Sequence, residues 1–278
     1  AIYQLATAVR NAGYKVALGG EGADEALAGY PWFKANRLIA PMDRRGLGDG
    51  WRKAMFGLPS HHPWSRYQKR YAQMGGYHAT SDLYALCSLS GDGVYSRDFE
   101  DRLAGRTAAD DLNLNLERMQ HWHPLNRSLY LGYQVMLPGL LMTHKGDRPA
   151  MANSVETRFP FLDLKLVEFC ARLGPEFKLR SLRRDKDILR RYAGGFLPPE
   201  IAQRPKSIFR ARYSGSFLKP EPSFAQQLLS EESLRKTGYF DPKKVHQIRD
   251  RLKRYPGSLP PHMGWEVSFV GVLATQMW

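Results

Sequence analysis

Between Lys15 and Tyr30 the chain reads KVALGGEGADEALAGY, and few folds accommodate that order of residues. A short apolar run of Val16, Ala17 and Leu18 ends in Gly19-Gly20. Three acids follow, Glu21, Asp24 and Glu25, and then the helix-forming Ala26, Leu27 and Ala28. The pattern predicts a buried strand, a glycine turn and an acidic helix start. Gly19, Gly20 and Gly22 allow a tight bend and the close approach of a ligand. A helix N-terminus presents unpaired N–H groups and a positive dipole end. Placed after the carboxyl end of a strand, such a turn suits the ligand crevice of an open α/β sheet. Acids in the first turn of a helix are also ordinary capping residues, so this stretch alone leaves both readings open.

The rest of the chain reads as largely helical. Helical spacing begins at Ile2, Leu5, Ala6 and Val9, as though the sequence starts in mid-domain. Further helices are expected over residues 108–120, 125–137, 140–154, 161–173, 185–193, 199–203, 242–252 and 264–278. Residues 31–63 are rich in Gly, Pro, Trp and His and read as ordered loop and short helix, and Ser90-Gly91-Asp92-Gly93 reads as a turn. No run of about 18 apolar residues occurs, so no membrane-spanning helix and no membrane partner are expected. The two cysteines, Cys87 and Cys170, lie in apolar surroundings and read as reduced thiols of a cytoplasmic protein. Net charge is +14. The basic residues are scattered, and the densest run, Lys178 to Arg191, reads as a helix with a solvated basic face. No helix-turn-helix, zinc or RNA-binding signature accompanies the charge, so no specific nucleic acid is expected.

Two further segments carry chemistry. Leu137 to Asp163 reads LPGLLMTHKGDRPAMANSVETRFPFLD. On a helix Lys145 and Arg148 share a face, a candidate wall for an anion. Glu156 and Arg158 alternate on an extended stretch and share a side. Pro160 excludes Phe159 from the α region. For Asp147, Glu156 and Asp163 a structural role is the favoured reading. Arg204-Pro205-Lys206 follows LPPEIAQ and sets a lysine just after a proline, a tethered point charge.

In this order the three segments resemble the ATP-dependent synthetase domain of glutamine-hydrolysing asparagine synthetases. The first is similar to that family's GEGxDExxxGY segment. The second matches from Leu137 to Asp163, with Ala150 where the family usually has Ser. The third matches its RxK element, although the FRARYSGSFL that follows departs from the family's glycine-rich pattern. The resemblance implies an α/β, adenine-nucleotide α-hydrolase-like (ATP pyrophosphatase) fold, present here as its mostly helical C-terminal portion over residues 1–278. It implies ATP and Mg²⁺ as cofactors, with ATP activating an acid as its acyl-adenylate and ammonia then attacking. Glu21 becomes the catalytic base and Lys206 the catalytic charge near the α-phosphate. Gly20, Gly22, Lys145 and Arg148 contact substrate or ATP, and Asp24 holds the metal.

The family's SGGxDS pyrophosphate loop and its glutaminase domain, which starts at a cysteine nucleophile, are not found, so the chain alone is expected to be inactive. For the intact protein the expected partners are ATP, aspartate or another acid, and ammonia from a glutaminase domain, with a homodimer as its assembly. The alternatives are a related amidotransferase acting on sugar acids, a cyclising synthetase forming a β-lactam or peptide macrolactam, and a non-catalytic binding fragment.

Overall fold

The spacing of Ile2, Leu5, Ala6 and Val9 folds as α1 (Ile2–Asn11), which buries Ala6 and ends at Gly13, where φ is 85°. The chain then enters β1 (Val16–Leu18). This computed structural model describes residues 2–43, 47, 50, 71–83, 93–106, 108–206, 214–254 and 260–278. The expected Ser90–Gly93 turn lies mostly outside them, as do Cys87 and residues 207–213 after the lysine motif. The described chain is mostly helical and divides into two units. The first comprises Ala1–Gly46, Gly75–Ser81 and Leu116–Ser207; the second comprises Leu47–Met74, Asp82–Asn115 and Ile208–Trp278.

In the first unit the glycine turn leads into α2 (Ala23–Leu27), and α3 (Ala35–Asp43) follows a 3₁₀ turn. The stretch from residue 124 to 151 is helical throughout but changes its winding. It begins as α4 (Pro124–Leu131), with Pro at the first position, where its missing N–H costs nothing. It continues with i→i+5 bonding over Gly132–Asp147 and closes as α5 (Arg148–Met151). The two separate helices expected over 125–137 and 140–154 are corrected to this one continuous run, with Pro138 inside it. The predicted 108–120 helix is also corrected. It resolves into a 3₁₀ turn, Ala108–Asp111, and a single helical turn, Leu116–Met119.

β2 (Glu156–Arg158) pairs in parallel with β1, Val16 opposite Glu156, Ala17 opposite Thr157 and Leu18 opposite Arg158. The two strands form a two-stranded sheet. Contrary to the expectation of a buried strand, Val16 and Leu18 are exposed. Asp163 accepts a hydrogen bond from the Leu166 N–H at 3.1 Å and so caps α6 (Leu164–Arg172). A single helical turn, Pro175–Lys178, and two short helices, α7 (Asp187–Ala193) and α8 (Pro199–Ala202), complete the set.

One face of α2 buries Ala26 and Leu27 with Cys170, against Tyr133, Leu166, Ile188 and Leu189. Just beyond it, Ala28 packs with Phe33, Leu125, Leu129 and Leu179. The acidic helix start is thereby clamped between two apolar clusters.

The second unit has its own core, built by α9 (Ser223–Leu228), α10 (Glu231–Thr237), α11 (Pro242–Arg254) and α12 (Pro260–Gln276). Val245, Ile248 and Leu252 recur at helical spacing on α11 and meet Phe269, Val272 and Leu273 of α12. Ser230 caps α10 by accepting from the Ser233 N–H, and Gly238 ends it at φ 75°. Among the described residues no helix is long and apolar enough to cross a membrane.

Candidate active site

The β1–α2 turn is shaped by the second motif. A Cβ on Gly19 would stand 2.6 Å from Phe159 Cε1 and 2.8 Å from Glu21 Oε2. Gly22 has φ +91°, and a Cβ there would run into Leu162. Both glycines therefore admit the RFPFLD segment against the turn. Phe159 takes φ −123° and ψ 88°, outside the α region as Pro160 requires. Gly20 differs: a Cβ there would meet nothing within 4 Å, and its backbone faces open space. Glu21 is half-buried, and no hydrogen bond or ion pair engages its carboxylate among the described residues.

Asp24 lies one helical turn further on and joins the first motif to the third. Its Oδ2 is 2.8 Å from Lys206 Nζ, and its Oδ1 is 2.8 Å from Lys186 Nζ. Lys206 also stands over the Tyr30 ring, 5.5 Å from its centroid, and that ring stacks on Trp32 at 4.2 Å. Two ammonium groups thus share one carboxylate beside an aromatic floor, and these three groups together carry one positive charge. Such an arrangement favours an anion of high charge density.

Glu25 points the other way. It is wholly buried, and Tyr30 Oη donates to its Oε1 at 2.8 Å. Burial pushes its carboxyl above the usual range, and the charge of Asp24 adds to this, while the Tyr30 hydroxyl and backbone N–H groups oppose it. The Tyr30 hydroxyl is raised in turn, by burial first and then by Glu25. Glu25 is thus an interior acid held by Tyr30, turned away from the Asp24–lysine cluster.

Lys206 owes its position to Arg190, which sequence reading missed. Arg190 donates to the carbonyls of Ala202 at 3.3 Å and Arg204 at 2.7 Å, and so holds the chain just before the lysine. The same guanidinium binds the backbone carbonyl and Oδ1 of Asp185, at 2.8 and 2.7 Å. Lys34 reaches Asp185 Oδ2 at 2.9 Å. Burial pushes the Asp185 carboxyl up, but Arg190 and Lys34 together outweigh it and hold it below the ordinary aspartate range.

The reading of Lys178–Arg191 as a solvated basic face is therefore corrected. Lys178, Asp185 and Asp187 are buried, residues 181–184 form a turn, and Lys186 and Arg190 point inward. The two aspartates interleaved with the cations, RRDKDILRR, were the available signal, since a solvated basic face has no need of them.

Lys145 and Arg148 are exposed, without an ion pair among the described residues. The segment carrying Lys145 is wound i→i+5, so the i, i+3 relation that would align the two on an α-helix does not hold across it. Gly146 nevertheless approaches the turn: a Cβ there would stand 3.4 Å from Phe159 Cζ, on the ring that also covers Gly19. Glu156 and Arg158 share a side, as alternation requires, and form an exposed pair at 2.7 Å.

The asparagine synthase family model matches residues 1–278. An amidase of Penicillium rubens, chyE, is 26% identical over 257 residues, covering 85% of this chain and 38% of that protein. Asparagine synthetase [glutamine-hydrolyzing] 3 of Bacillus subtilis is 25% identical over 236 residues, covering 84% of this chain and 33% of its own length. A putative asparagine synthetase of Mycobacterium tuberculosis is 27% identical over 196 residues, covering 70% and 29%. The chain thus spans between a quarter and two fifths of the length of these relatives. With the family pattern matched from the first residue to the last, and its three motifs meeting at Asp24 and the glycine turn, the chain belongs to the asparagine synthase family.

Proposed function

We propose that the intact protein forms an amide bond at the expense of ATP, through an acyl-adenylate. The acid's carboxylate attacks the α-phosphorus, the α–β phosphoanhydride bond breaks, and pyrophosphate leaves. Ammonia then attacks the acyl carbon and AMP departs. The preferred acid is aspartate, with asparagine as product and a glutaminase domain as the ammonia source, in the cytoplasm of the cell. The observation that carries this reading is the Asp24–Lys206 contact at 2.8 Å, which brings residues 182 positions apart to one point beside the glycine turn.

Each residue has a distinct task. Glu21, unengaged beside the turn, takes the proton released as the amine attacks. Lys206 offsets charge developing at the α-phosphate, and Lys145 and Arg148 supply further positive potential to bound substrate. The open backbone at Gly20 gives the nucleotide close approach, while Gly22, which the sequence also suggested as a ligand contact, is packed against Leu162. Asp24 offers a hard oxygen ligand of the kind Mg²⁺ takes from proteins. Both of its oxygens carry a lysine, so it suits a cation that arrives with phosphate better than a bare one. Bound there, Mg²⁺ would neutralise polyphosphate charge.

A second reading is favoured by the match to the fungal amidase chyE, which covers as much of this chain as the bacterial synthetase does. In it the same activation chemistry serves an acid other than aspartate, such as a sugar acid, or closes a lactam ring.

The test is pyrophosphate exchange and amide formation in the intact protein. Glu21→Gln should retain acid-dependent exchange and lose amide formation. Lys206→Ala should lose exchange, and Lys206→Arg should recover a small part, because guanidinium is longer and differently hydrated. Parental exchange by Lys206→Ala together with normal amide formation by Glu21→Gln would remove both residues from the mechanism.

A further inference from the structure

We propose that the second unit carries a binding site of its own, an aromatic cavity that takes a neutral, planar heteroaromatic molecule and receives its ring N–H on Gln276. The inference is independent of the acyl-adenylate reading, whose residues all belong to the first unit.

The wall of this site is built in. Tyr95 and Phe240 oppose each other in an antiparallel bridge. It is closed on either side by the Ser96 N–H on the Tyr239 carbonyl at 3.0 Å and the Asp241 N–H on the Val94 carbonyl at 2.9 Å. The two rings lie 5.9 Å apart and nearly parallel, at 17°. Phe99 tilts against Tyr95 at 5.1 Å and meets Tyr239 edge-on at 5.3 Å. Phe240 is buried in the core of the unit, whereas Tyr239 is exposed, so the wall is anchored at one end and open at the other. These rings line a cavity of about 620 Å³ that Thr237, Thr275, Gln276 and Trp278 complete, a size in the range of small-molecule sites. Among the described residues no lysine, arginine, aspartate or glutamate lines it.

Gln276 gives the cavity a direction. The residue is buried, with 9% of it exposed. Its Nε2 donates to the Leu228 carbonyl at 3.3 Å and to Ser233 Oγ at 3.5 Å. A backbone carbonyl only accepts, so the nitrogen end of the amide is fixed by that contact. Neither Leu228 nor Ser233 lines the cavity, so the nitrogen is turned away from it. Oε1 is left buried, with no hydrogen-bond partner among the described residues, and a buried acceptor of this kind calls for a donor. The hydroxyls of Thr237 and Thr275 donate to the carbonyls of Leu234 at 3.2 Å and Gly271 at 2.9 Å. Toward a ligand they too present lone pairs.

Charge decides the rest. An anion would face these acceptors. A cation would face Lys244, whose Nζ sits on the Tyr95 carbonyl at 2.9 Å, on a helix that reads PKKVHQIRDRLKR. A flat neutral ring meets neither objection. It stacks on the aromatic wall or meets it edge-on and gives its N–H to Gln276 Oε1. A fused bicycle of the indole kind has both features.

The experiment is titration of this chain with three ligands, monitored by calorimetry and ligand-observed NMR. Indole has the ring and the donor, 1-methylindole the ring alone, and tetramethylammonium a charge without a ring. Indole should bind saturably, with a dissociation constant on the order of a millimolar or below. Its N-methyl analogue should bind about tenfold more weakly, as expected when a buried acceptor stays unpaired. Gln276→Met keeps the side-chain volume and removes the acceptor, so it should lose the preference for indole while thermal melts show a folded chain. Tyr239→Ser, at an exposed position, should weaken both indoles alike. The three ligands on the parent chain decide the matter even where a variant does not fold. Absence of saturable indole binding up to its solubility limit, equal affinity for the two indoles, or tighter binding of tetramethylammonium than of indole would overturn the proposal, whatever the intact protein does with ATP.

Discussion

Replacing Arg190 with Met tests how the lysine motif is held in place. The guanidinium makes two contacts with Asp185 and two with the carbonyls of Ala202 and Arg204. Methionine keeps much of the stem volume and removes all four hydrogen bonds. A hydrogen bond to a charged group contributes about 1.5–3 kcal/mol, and breaking a buried ion pair costs about 3–5 kcal/mol when the surviving charge has no partner. Asp185 keeps Lys34 at 2.9 Å, so the expected loss falls to about 2–4 kcal/mol. For a chain of this size that is a fall in Tm of roughly 5–15 °C. The deficit should also depend on pH. The Asp185 carboxyl is depressed in the folded protein, so its contribution is present above the unfolded aspartate pKa of about 3.9 and is lost as pH falls through the folded value. Arg190→Met should therefore be most destabilised near neutrality and should converge toward the parent in acid. The assay is thermal melting of parent and variant from pH 7 down to pH 3, paired with pyrophosphate binding, which should weaken as the Lys206 segment loses its anchor. A variant that melts with the parent at pH 7, or whose deficit is constant with pH, would refute the assignment of Asp185 and Arg190 as the strut of this loop.

Glu25→Gln should raise Tm near pH 7, because the buried carboxyl is shifted upward and its ionisation costs stability above the unfolded glutamate pKa; melts repeated near pH 3.5 should show the gain vanish. Gly22→Ala should destabilise by about 1–2 kcal/mol from the left-handed backbone alone, with a further cost from the contact with Leu162, read as a lower denaturation midpoint. Binding of random-sequence DNA or RNA should be weak and should fall steeply with salt, leaving little at about 0.2 M; sequence-selective binding that survives such salt would contradict the assignment of the basic charge to phosphate chemistry and solubility.

The sequence made the local pieces of this site legible and hid their supports. Strand, turn and acidic helix start could be read from KVALGGEGADEALAGY because each residue type there has one strong conformational preference. The Glu156–Arg158 stretch and the displaced Phe159 were equally local. Lys186 and Arg190 were not, because their roles depend on partners far away along the chain or on carbonyls, which every residue possesses. The winding of residues 132–147 was hidden as well: Leu137, Leu141 and Lys145 keep four-residue spacings, which an α-helix and a wider one share. The exposure of Val16 and Leu18 could not be read from a run whose composition suits a buried strand.

The parallel register that sets Val16 opposite Glu156 also has a meaning in time. Closing a contact across so long a chain carries a large entropic cost before it returns any stabilisation. On a ribosome adding about 5–20 residues per second, Lys206 follows Asp24 by roughly ten to forty seconds. For most of that interval, until residues 156–158 emerge, the strand beside Asp24 has no partner, and until Lys186 emerges Asp24 has neither of its lysines. Until Lys186 and Lys206 emerge, the nascent chain displays a bare acidic turn, and the charge of Asp24 is offset only as the last third of the chain is made.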